Sequence, residues 1–395
     1  MRRPSAGDGP RIAVVGGGVG GLAVAAFLRQ AGLSAKVFEQ AREFGGVGGG
    51  LVITPNAARL LRRLGVLDRL RRDAAPLDWG WEFRRWQDGT VLAREQLAGV
   101  CERLYGERTY VAGRAALLDA IRSAVPEDAI DLGARCAAIE ERPGEIRLKF
   151  ADGSSTKADI VIGADGVHSV VRDAVAETTT PAESGMCAFR SIVPAELAPT
   201  FALRRAQTLW VGPGRHLVHY PVDGGRSVNL LGFAPAAPGA KESWSATAAR
   251  KEFLAEFEGW DPRVAELIRA GGRPGRWSVL HHKPLPRWST SRITLLGDAA
   301  HPLAPDFAQS AAQAIEDAAV LAACLAEHID QPATALQLYQ GSRIPRIAKL
   351  QRAGRDLSRI NHLPDGSEQR ARDRALAAAG PLAASSWIYK YDAVA

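Results

Sequence analysis

Three glycines near the start of the chain have the spacing of a phosphate-binding turn. Gly16, Gly18 and Gly21 directly follow an apolar run from Ile12 to Val15. In such a turn the first glycine permits a tight bend, the second lets a pyrophosphate approach the backbone, and the third lets the next helix pack on the sheet. The free N–H groups and the dipole at the helix N-terminus favour the phosphates. The pattern predicts a dinucleotide site.

An acidic residue stands at the distance that such a site requires. The run from Ala35 to Glu39 reads as a second strand, and Glu39 follows Gly16 by 23 residues. A carboxylate at the end of that strand can accept hydrogen bonds from the ribose hydroxyls of an adenosine. Strand, turn, helix and acid together favour a bound dinucleotide over an empty glycine-rich turn. NAD dehydrogenases, FAD oxidoreductases and disulfide reductases all share this fingerprint.

The four cysteines narrow that choice. Cys101, Cys136, Cys187 and Cys324 are far apart and form no CxxC pair. This spacing excludes the redox pair of a disulfide reductase, argues against a metal site and fits a reducing cytoplasm. The sequence has no second strand–glycine–helix fingerprint that would bind NAD(P)H as a separate dinucleotide.

The composition is that of an ordinary globular enzyme. The 395 residues are 46% hydrophobic and 24% charged, and the net charge of +7 comes from scattered arginines. No basic stripe with interleaved aromatic residues is present, so nucleic-acid binding is not predicted. No uninterrupted apolar stretch of about 20 residues suggests a membrane span. We expect a cytoplasmic protein, and we leave open whether it forms a homodimer.

Further motifs follow in a recognisable order. Arg114 opens a predicted amphipathic helix in "AGRAALLDAI", Asp165 ends a strand in "ADIVIGADGV", and Asp298 ends another in "ITLLGDAAHP". Together with the glycine turn, these motifs resemble the triple signature of the group A flavoprotein monooxygenases, which have the para-hydroxybenzoate hydroxylase fold. Ala308 and the C-terminal "WIYKYD" resemble the branch that contains 6-hydroxynicotinate 3-monooxygenase and the salicylate hydroxylases.

The resemblance implies an FAD-dependent monooxygenase. NADH or NADPH would reduce FAD, the reduced flavin would bind O2 as a C4a-hydroperoxide, and the distal oxygen would be added to a small aromatic substrate. We expect a hydroxy- or amino-aromatic acid, with decarboxylation as one outcome. Two alternatives stay open: an epoxidase or Baeyer–Villiger oxygenase on a larger ring, and a flavin-binding protein without catalysis.

The resemblance also assigns residues to the cofactor. Asp298 is expected to hydrogen-bond the ribityl chain, and the loop and helix after it are expected to hold the pyrimidine end of the flavin. Small residues suit this helix start because backbone N–H groups must come close to the ring. Ser310 stands where the family usually has glycine. The predicted cofactor-binding set is Gly16, Gly18, Val19, Gly21, Glu39, Gln40, Arg114, Cys136, Asp165, Asp298, Pro305, Gln309, Ser310 and Ala311.

The strand "RHLVHYPV" carries the predicted substrate residues. Alternation along a strand puts His216 and Tyr220 on one face. By resemblance, these two residues and His301 are predicted to orient or activate the substrate, with Trp210 and Pro302 beside them. The histidine proposed as the base in the branch is replaced by Val52, and a valine cannot take a proton. His216, Tyr220 or His301 serves instead, or the substrate needs no base, as an aniline or indole would not.

These motifs require an FAD domain that is discontinuous in sequence. We predict an α/β fold with a Rossmann-like FAD-binding domain from residues 1–75, 108–180 and 291–330. An inserted antiparallel sheet, the substrate-binding domain, would take residues 76–107 and 181–290, since alternating runs there are separated by Pro-Gly and Gly-Gly turns. Residues 331–395 are predicted to be helical, with a turn at 364–366 before the last helix.

Overall fold

The computed structural model describes residues 9–45, 49–176, 182–236, 247–281 and 283–395. The strands in these ranges are β1 (Ile12–Val15), β2 (Ala35–Glu39), β3 (Gly50–Ile53), β4 (Ala75–Pro76), β5 (Trp79–Arg85), β6 (Val91–Gln96), β7 (Tyr110–Gly113), β8 (Ile130–Leu132), β9 (Cys136–Arg142), β10 (Glu145–Phe150), β11 (Ser155–Ala158), β12 (Ile160–Gly163), β13 (Ala182–Pro194), β14 (Ala206–Gly212), β15 (Arg215–Val222), β16 (Ser227–Pro235), β17 (Gly275–His281) and β18 (Ile293–Leu295). The helices are α1 (Val19–Gln30), α2 (Pro55–Arg63), α3 (Leu67–Leu70), α4 (Val100–Tyr105), α5 (Arg114–Arg122), α6 (Val170–Asp173), α7 (Arg250–Glu256), α8 (Pro262–Ala270), α9 (Ser310–Glu327), α10 (Pro332–Asn361), α11 (Ser367–Ala379) and α12 (Pro381–Tyr389).

A parallel sheet of five strands, in the order β18-β12-β1-β2-β8, carries the sequence motifs. β1 and β12 are buried along their whole length, as expected for parallel strands covered on both faces. The carboxyl ends of parallel strands meet at one edge of a sheet, where ligands of such folds bind. The motifs at Gly16, Asp165 and Asp298 follow β1, β12 and β18, and therefore lie together at that edge.

A second sheet has seven strands in the order β17-β13-β16-β15-β14-β5-β6. Its pairs are antiparallel except for β14 with β5. One face packs against α7 and α8 through an apolar cluster that includes Phe189, Trp210, Leu217 and Phe253. The opposite face, which we name the inner face, presents Arg190, His216, Val218, Tyr220, Leu231, Phe233 and Trp277.

The inner face contacts the FAD-side part of the chain through β3. The backbone N–H of Gly50 donates to Asn229 Oδ1 at 3.1 Å, and the hydroxyl of Tyr220 donates to the Gly50 carbonyl at 2.9 Å. A side chain at Gly50 would lie only 2.7 Å from the ring of Tyr220. This close approach fixes the seven-stranded sheet against β3, which belongs to a separate three-stranded sheet in the order β3-β7-β4. We name the region between the seven-stranded sheet and the carboxyl edge of the parallel sheet the cleft. The predicted domain limits stay a prediction.

The C-terminal part is helical from Pro332, as predicted, but its end differs from the expectation. Two helices, α11 and α12, follow the turn at residues 364–366 instead of one. They are separated because Gly380 has a φ of +72° and Pro381 then starts α12, and proline is favoured in the first turn of a helix. Among the described residues, no helix is both long and apolar enough to cross a membrane.

Candidate active site

The glycine turn after β1 has the geometry that a dinucleotide needs. Gly16 has a φ of +106°, and an added side chain would lie 2.4 Å from the Ala164 carbonyl oxygen. A side chain at Gly21 would lie 1.9 Å from the Gly16 carbonyl oxygen, so α1 packs directly on the turn. Nothing lies within 4 Å of the corresponding position at Gly18. Two glycines therefore close the turn, and the third leaves open space for a pyrophosphate beside the helix N-terminus.

Glu39 is held at the end of β2 by the backbone. Its Oε2 accepts the N–H of Gly17 at 2.6 Å, and its Oε1 accepts the N–H of Ala41 at 2.8 Å. A carboxylate has about four lone-pair positions, so both oxygens can still accept ribose hydroxyls. Two other predicted cofactor residues, Gln40 and Cys136, show no such contacts. Gln40 is exposed, and the thiol of Cys136 is directed at the Ala138 carbonyl at 3.7 Å. Burial raises the pKa of Cys136 to about 11 and keeps the thiol protonated.

The side chain of Asp165 has a structural role that its motif did not predict. Its Oδ2 accepts the N–H of Val170 at 2.8 Å, at the start of α6. Arg172, on the same helix, donates from Nε to the Ala299 carbonyl at 2.7 Å and from Nη2 to the Asp298 carbonyl at 2.8 Å. This arginine ties the strand end after β12 to the strand end after β18. The predicted contact of Asp165 with the cofactor is left to its backbone.

Asp298 lies at the base of the cleft. Its side chain is accessible to solvent but is surrounded by protein on most sides; this loss of hydration raises its pKa, against the charges of His301, Arg114 and Arg172. Among the described residues, none donates a hydrogen bond to its carboxylate, and none pairs with the exposed guanidinium of Arg114. A free carboxylate and a free guanidinium at one cleft fit the hydroxyls and phosphates of FAD.

The loop before α9 brings backbone to the same cleft. Ala308 has a φ of +54°, in the left-handed region that favours glycine. The hydroxyl of Ser310 donates to the Leu303 carbonyl at 3.4 Å and ties the helix start to the loop. α9 then begins with unpaired backbone N–H groups, which can face the flavin ring. Val19, Pro305 and Ala311 offer no side-chain donor, so their predicted contacts are backbone or van der Waals contacts.

Gln309 makes side-chain contacts that the sequence did not predict. Its side chain is buried and bonds away from the cleft: Nε2 donates to Thr54 Oγ1 at 2.9 Å, and Oε1 accepts from Asn56 at 3.1 Å. This amide joins the start of α9 to the start of α2. The backbone of Gln309 is the part that remains for the cofactor.

A buried ion network lies behind this loop and is not predicted by any motif. Glu316 and Asp317 of α9 face Arg343 and Arg346 of α10, and three of these side chains have no exposed surface. Arg343 donates from Nε to Asp317 Oδ1 and from Nη1 to Glu316 Oε2, each at 2.7 Å. Arg346 donates to Glu316 Oε2 at 2.7 Å. Two acids and two arginines balance each other in the core.

His301 is attached to this network. Its Nε2 lies 2.6 Å from Asp317 Oδ2, its ring packs against Trp288 at 4.9 Å, and the residue is only 3% exposed. Burial alone would raise the pKa of Asp317, but the charges of His301 and Arg343 outweigh it and lower the pKa to about 2. The ionised carboxylate therefore accepts from an Nε2–H. The buried Nδ1 atom has no hydrogen-bond partner among the described residues.

His216 has a partner that the sequence did not predict. Its Nδ1 lies 2.7 Å from Nε2 of His362, and its ring stacks on Phe233 at 4.4 Å. Burial, then the neighbouring imidazole, lowers the pKa of His216 well below its usual range, and burial lowers the pKa of His362 to about 4. His216 is therefore a weaker base than an ordinary histidine. His362 comes from the end of α10, 146 residues away in sequence.

Tyr220 also has a partner that the sequence did not predict. Burial raises its pKa above the usual range, and its hydroxyl proton is donated to the Gly50 carbonyl. The hydroxyl oxygen can then accept a hydrogen bond, but it has no second proton to give. Val52 stands at the position of the histidine proposed as the base in the branch. It lies on the same side of β3 as Gly50 and is buried, and its side chain cannot act as a base.

The three predicted substrate residues do not share a partner. His216 and Tyr220 are four residues apart on one strand, a spacing of about 13 Å, and His301 is held by Asp317 elsewhere. Trp210, predicted beside them, is fully buried on the opposite face of the sheet, because it pairs with Leu217 across β14 and β15. The substrate roles of His216, Tyr220, His301 and Pro302 stay predictions.

Arg190 on β13 is a residue of the inner face that no motif singled out. Its guanidinium lies 5.1 Å from the ring centre of Trp277 and next to Gly49. The positive charge of Arg190 opposes the rise in the pKa of Tyr220 that burial causes. The charge of Arg114 adds to the lowering of the pKa of Arg190 that burial causes. Charge interactions therefore link Arg190 and Tyr220 on the sheet side with Arg114 and Asp298 on the FAD side.

Comparisons with known proteins show what the whole chain is similar to. The family profile for the FAD binding domain matches residues 10–353. The chain is 41% identical to a 3-amino-4-hydroxybenzoate 2-monooxygenase of Streptomyces platensis, over 97% of this chain and 96% of that protein. It is 36% identical to a 6-hydroxynicotinate 3-monooxygenase of Bordetella bronchiseptica, over 90% and 94%. Klebsiella pneumoniae HpxO in complex with FAD and uric acid superposes with a TM-score of 0.85 and 27% identity, over 96% and 97%.

Proposed function

This chain belongs to the FAD-binding family of group A flavoprotein monooxygenases, and from that premise we propose that it hydroxylates a small aromatic acid that bears an amino or hydroxyl group. The relatives at 41% and 36% identity are named for such acids. When FAD is bound, it supplies the redox chemistry, taking electrons from NADH or NADPH and activating O2. The protein has to bind the ring, orient it and keep water away.

The inner face is the observation that supports an aromatic substrate. Phe233 and Trp277 form an apolar floor with Ala188, and Leu231 and Val279 extend it. Polar groups stand only at its edges, where His216 stacks on Phe233 and Arg190 lies over Trp277. An apolar surface with a few polar groups at its rim is typical of a site for a small aromatic ligand.

The described residues favour a ring that is activated without a strong base. The pKa of His216 is lowered, the Tyr220 hydroxyl already donates its hydrogen bond to the Gly50 carbonyl, and Val52 is apolar. Of the predicted substrate residues, His301 is the imidazole that is hydrogen-bonded to a carboxylate, which fixes the orientation of its ring. An amino group raises the electron density of a ring without losing a proton. We therefore propose 3-amino-4-hydroxybenzoate as the first substrate to test.

The test is a substrate screen with the FAD-loaded enzyme. NADH or NADPH oxidation, O2 uptake and product mass are measured with 3-amino-4-hydroxybenzoate, 6-hydroxynicotinate, 3-hydroxybenzoate and salicylate. We expect at least one acid to accelerate NAD(P)H oxidation and to gain one oxygen atom, and product mass separates this from replacement of the carboxylate. Acceleration by none of these acids would contradict the proposal. A cytoplasmic location and a homodimer stay predictions, and light scattering tests the latter.

A further inference from the structure

We propose that Arg190 binds the carboxylate of the substrate and thereby selects aromatic acids over neutral rings. This inference rests on the proposed function and adds a specificity-determining residue to it. It is drawn from the position and the unbalanced charge of this side chain in the cleft.

The position follows from the register of the sheet. Arg190 pairs with Leu231 on one neighbouring strand and with Gly275 on the other. Two residues before it, Ala188 pairs with Phe233 and Trp277, so the aromatic floor and Arg190 lie on the same face. A ring that rests on this floor would have the guanidinium at one edge.

The charge of Arg190 is not balanced by the protein. Among the described residues, no carboxylate lies within ion-pair distance of its guanidinium, and its buried Nε has no hydrogen-bond partner. Burial lowers its pKa, with Arg114 adding to this effect and Tyr220 opposing it, but a guanidinium stays charged in proteins. A partly buried cation without an anion is costly to hold, and an anionic ligand removes that cost.

Other buried arginines of this chain do have partners. Arg343 and Arg346 bind Glu316 and Asp317, and Arg172 donates to four backbone carbonyls. Arg190 therefore differs from these buried arginines, because its guanidinium has no anionic partner among the described residues. The planar fork of a guanidinium matches a carboxylate with two parallel hydrogen bonds, and the adjacent rings of Trp277 and Phe233 suit an aromatic acid.

The test compares an acid with its neutral analogues. Affinities for 3-amino-4-hydroxybenzoate, for its amide and for 2-aminophenol are measured through the change in flavin absorbance, in wild type, Arg190→Met and Arg190→Lys. Arg276→Met is the matched control, because Arg276 lies on the adjacent strand with its guanidinium over Phe189, on the opposite face. FAD content and the KM for NADH are measured in every variant.

We expect Arg190→Met to weaken binding of the acid by about 10- to 100-fold, the loss of one hydrogen-bonded charge. Arg190→Lys should lose less, and the control should bind as wild type does. Affinity for the neutral analogues, FAD content and KM for NADH should not change; where wild type binds no neutral analogue, the last two measurements carry the comparison. Equal losses of affinity for the acid and the neutral ligands would overturn the inference. A fall in FAD content would also overturn it, because Arg190 would then bind an anionic group of the cofactor. A raised KM for NADH would overturn it in the same way, because Arg190 would then bind the dinucleotide. A wild type that hydroxylates no aromatic compound refutes the proposed function instead.

Discussion

The Nε2 atom of His301 lies 2.6 Å from Oδ2 of Asp317, and the same oxygen accepts the backbone N–H of Gly297 at 3.0 Å. One carboxylate thus holds both the turn that contains Asp298 and the histidine three residues later. The other oxygen of Asp317 accepts from Arg343. The position of the cleft wall therefore depends on a charge network in the core behind it.

Asp317→Asn should destabilise the protein and loosen this wall. Removing one charge from a buried pair leaves the other without compensation, which costs about 3–5 kcal/mol. We expect a lower free energy of unfolding in urea and a lower FAD content after purification. Glu327→Gln is the control, because Glu327 lies on the same helix with its side chain 77% exposed. Equal stability of the two variants would show that the network does not support the site.

Substitutions in the glycine turn should separate folding from cofactor binding. In Gly21→Ala the new methyl would collide with the Gly16 carbonyl oxygen, whereas in Gly18→Ala it would enter open space. We expect Gly21→Ala to lower the thermal midpoint, and Gly18→Ala to leave the apoprotein as stable as wild type while weakening FAD binding. Circular dichroism and FAD titration measure the two effects. Full FAD affinity in Gly18→Ala would show that the pyrophosphate does not pass there.

Asp298→Ala should weaken FAD without unfolding the chain. The carboxylate has no described hydrogen-bond donor, so its removal breaks no hydrogen bond among the described residues. A hydrogen bond to a charged group contributes about 1.5–3 kcal/mol, or one to two decades of affinity. Titration of apoprotein with FAD measures the change, and Asp68→Ala, with the Asp68 side chain 84% exposed, is the control. Wild-type affinity together with a wild-type rate of flavin reduction would refute this role for Asp298.

Changes at His216 and Tyr220 should affect coupling more than flavin content. His216→Ala removes a ring stacked on Phe233, and Tyr220→Phe removes the bond to the Gly50 carbonyl. In both variants NADH should still be oxidised, with more of it ending as hydrogen peroxide because the ring is less well placed. The ratio of hydroxylated product to NADH consumed reports this, and we expect His216→Ala to lower it more. An unchanged ratio with lost FAD would move these residues out of the substrate site.

The imidazole pair should make stability depend on pH. The pKa of His362 is lowered to about 4 and that of His216 lies well below its usual range, whereas an unfolded histidine has a pKa of about 6.5. Between about pH 6.5 and 4 the unfolded chain binds more protons than the folded one, so stability falls as the pH falls. Urea unfolding at pH 7 and pH 5 measures the slope. His362→Gln should lose less stability over this interval; a slope equal to that of wild type would exclude the pair as its source.

Local patterns in the sequence predict the framework well. The roles of Gly16, Gly18 and Gly21 follow from their spacing, and α5 begins at Arg114 as expected. Contacts between distant segments leave no such pattern: the acids of α9 and the arginines of α10 are joined across 26 to 30 residues, and His216 and His362 across 146. These pairs depend on how helices pack.

Two errors of detail had a signal in the sequence. Trp210 of β14 pairs with Leu217 of β15 across the turn at residues 213–214 and must share its face. Alternation along β15 therefore separates Trp210 from His216 and Tyr220. Arg190 is a single charge in an alternating apolar strand, "MCAFRSIV", and falls on the face opposite to Phe189. Period two along every strand of the sheet places Trp210 on the face opposite to His216, and Arg190 on the inner face with His216.

The 30 residues of α10 form a helix about 45 Å long, which joins two places that are far apart. Its first half carries the arginines that neutralise Glu316 and Asp317, and its end leads to the imidazole that contacts His216. In chimaeras made by recombination with related hydroxylases, a crossover between α9 and α10, or inside α10, would combine acids, arginines and imidazole from different parents. Functional chimaeras should therefore inherit residues 310–362 as one block, even when exchange of substrate preference alone is the aim.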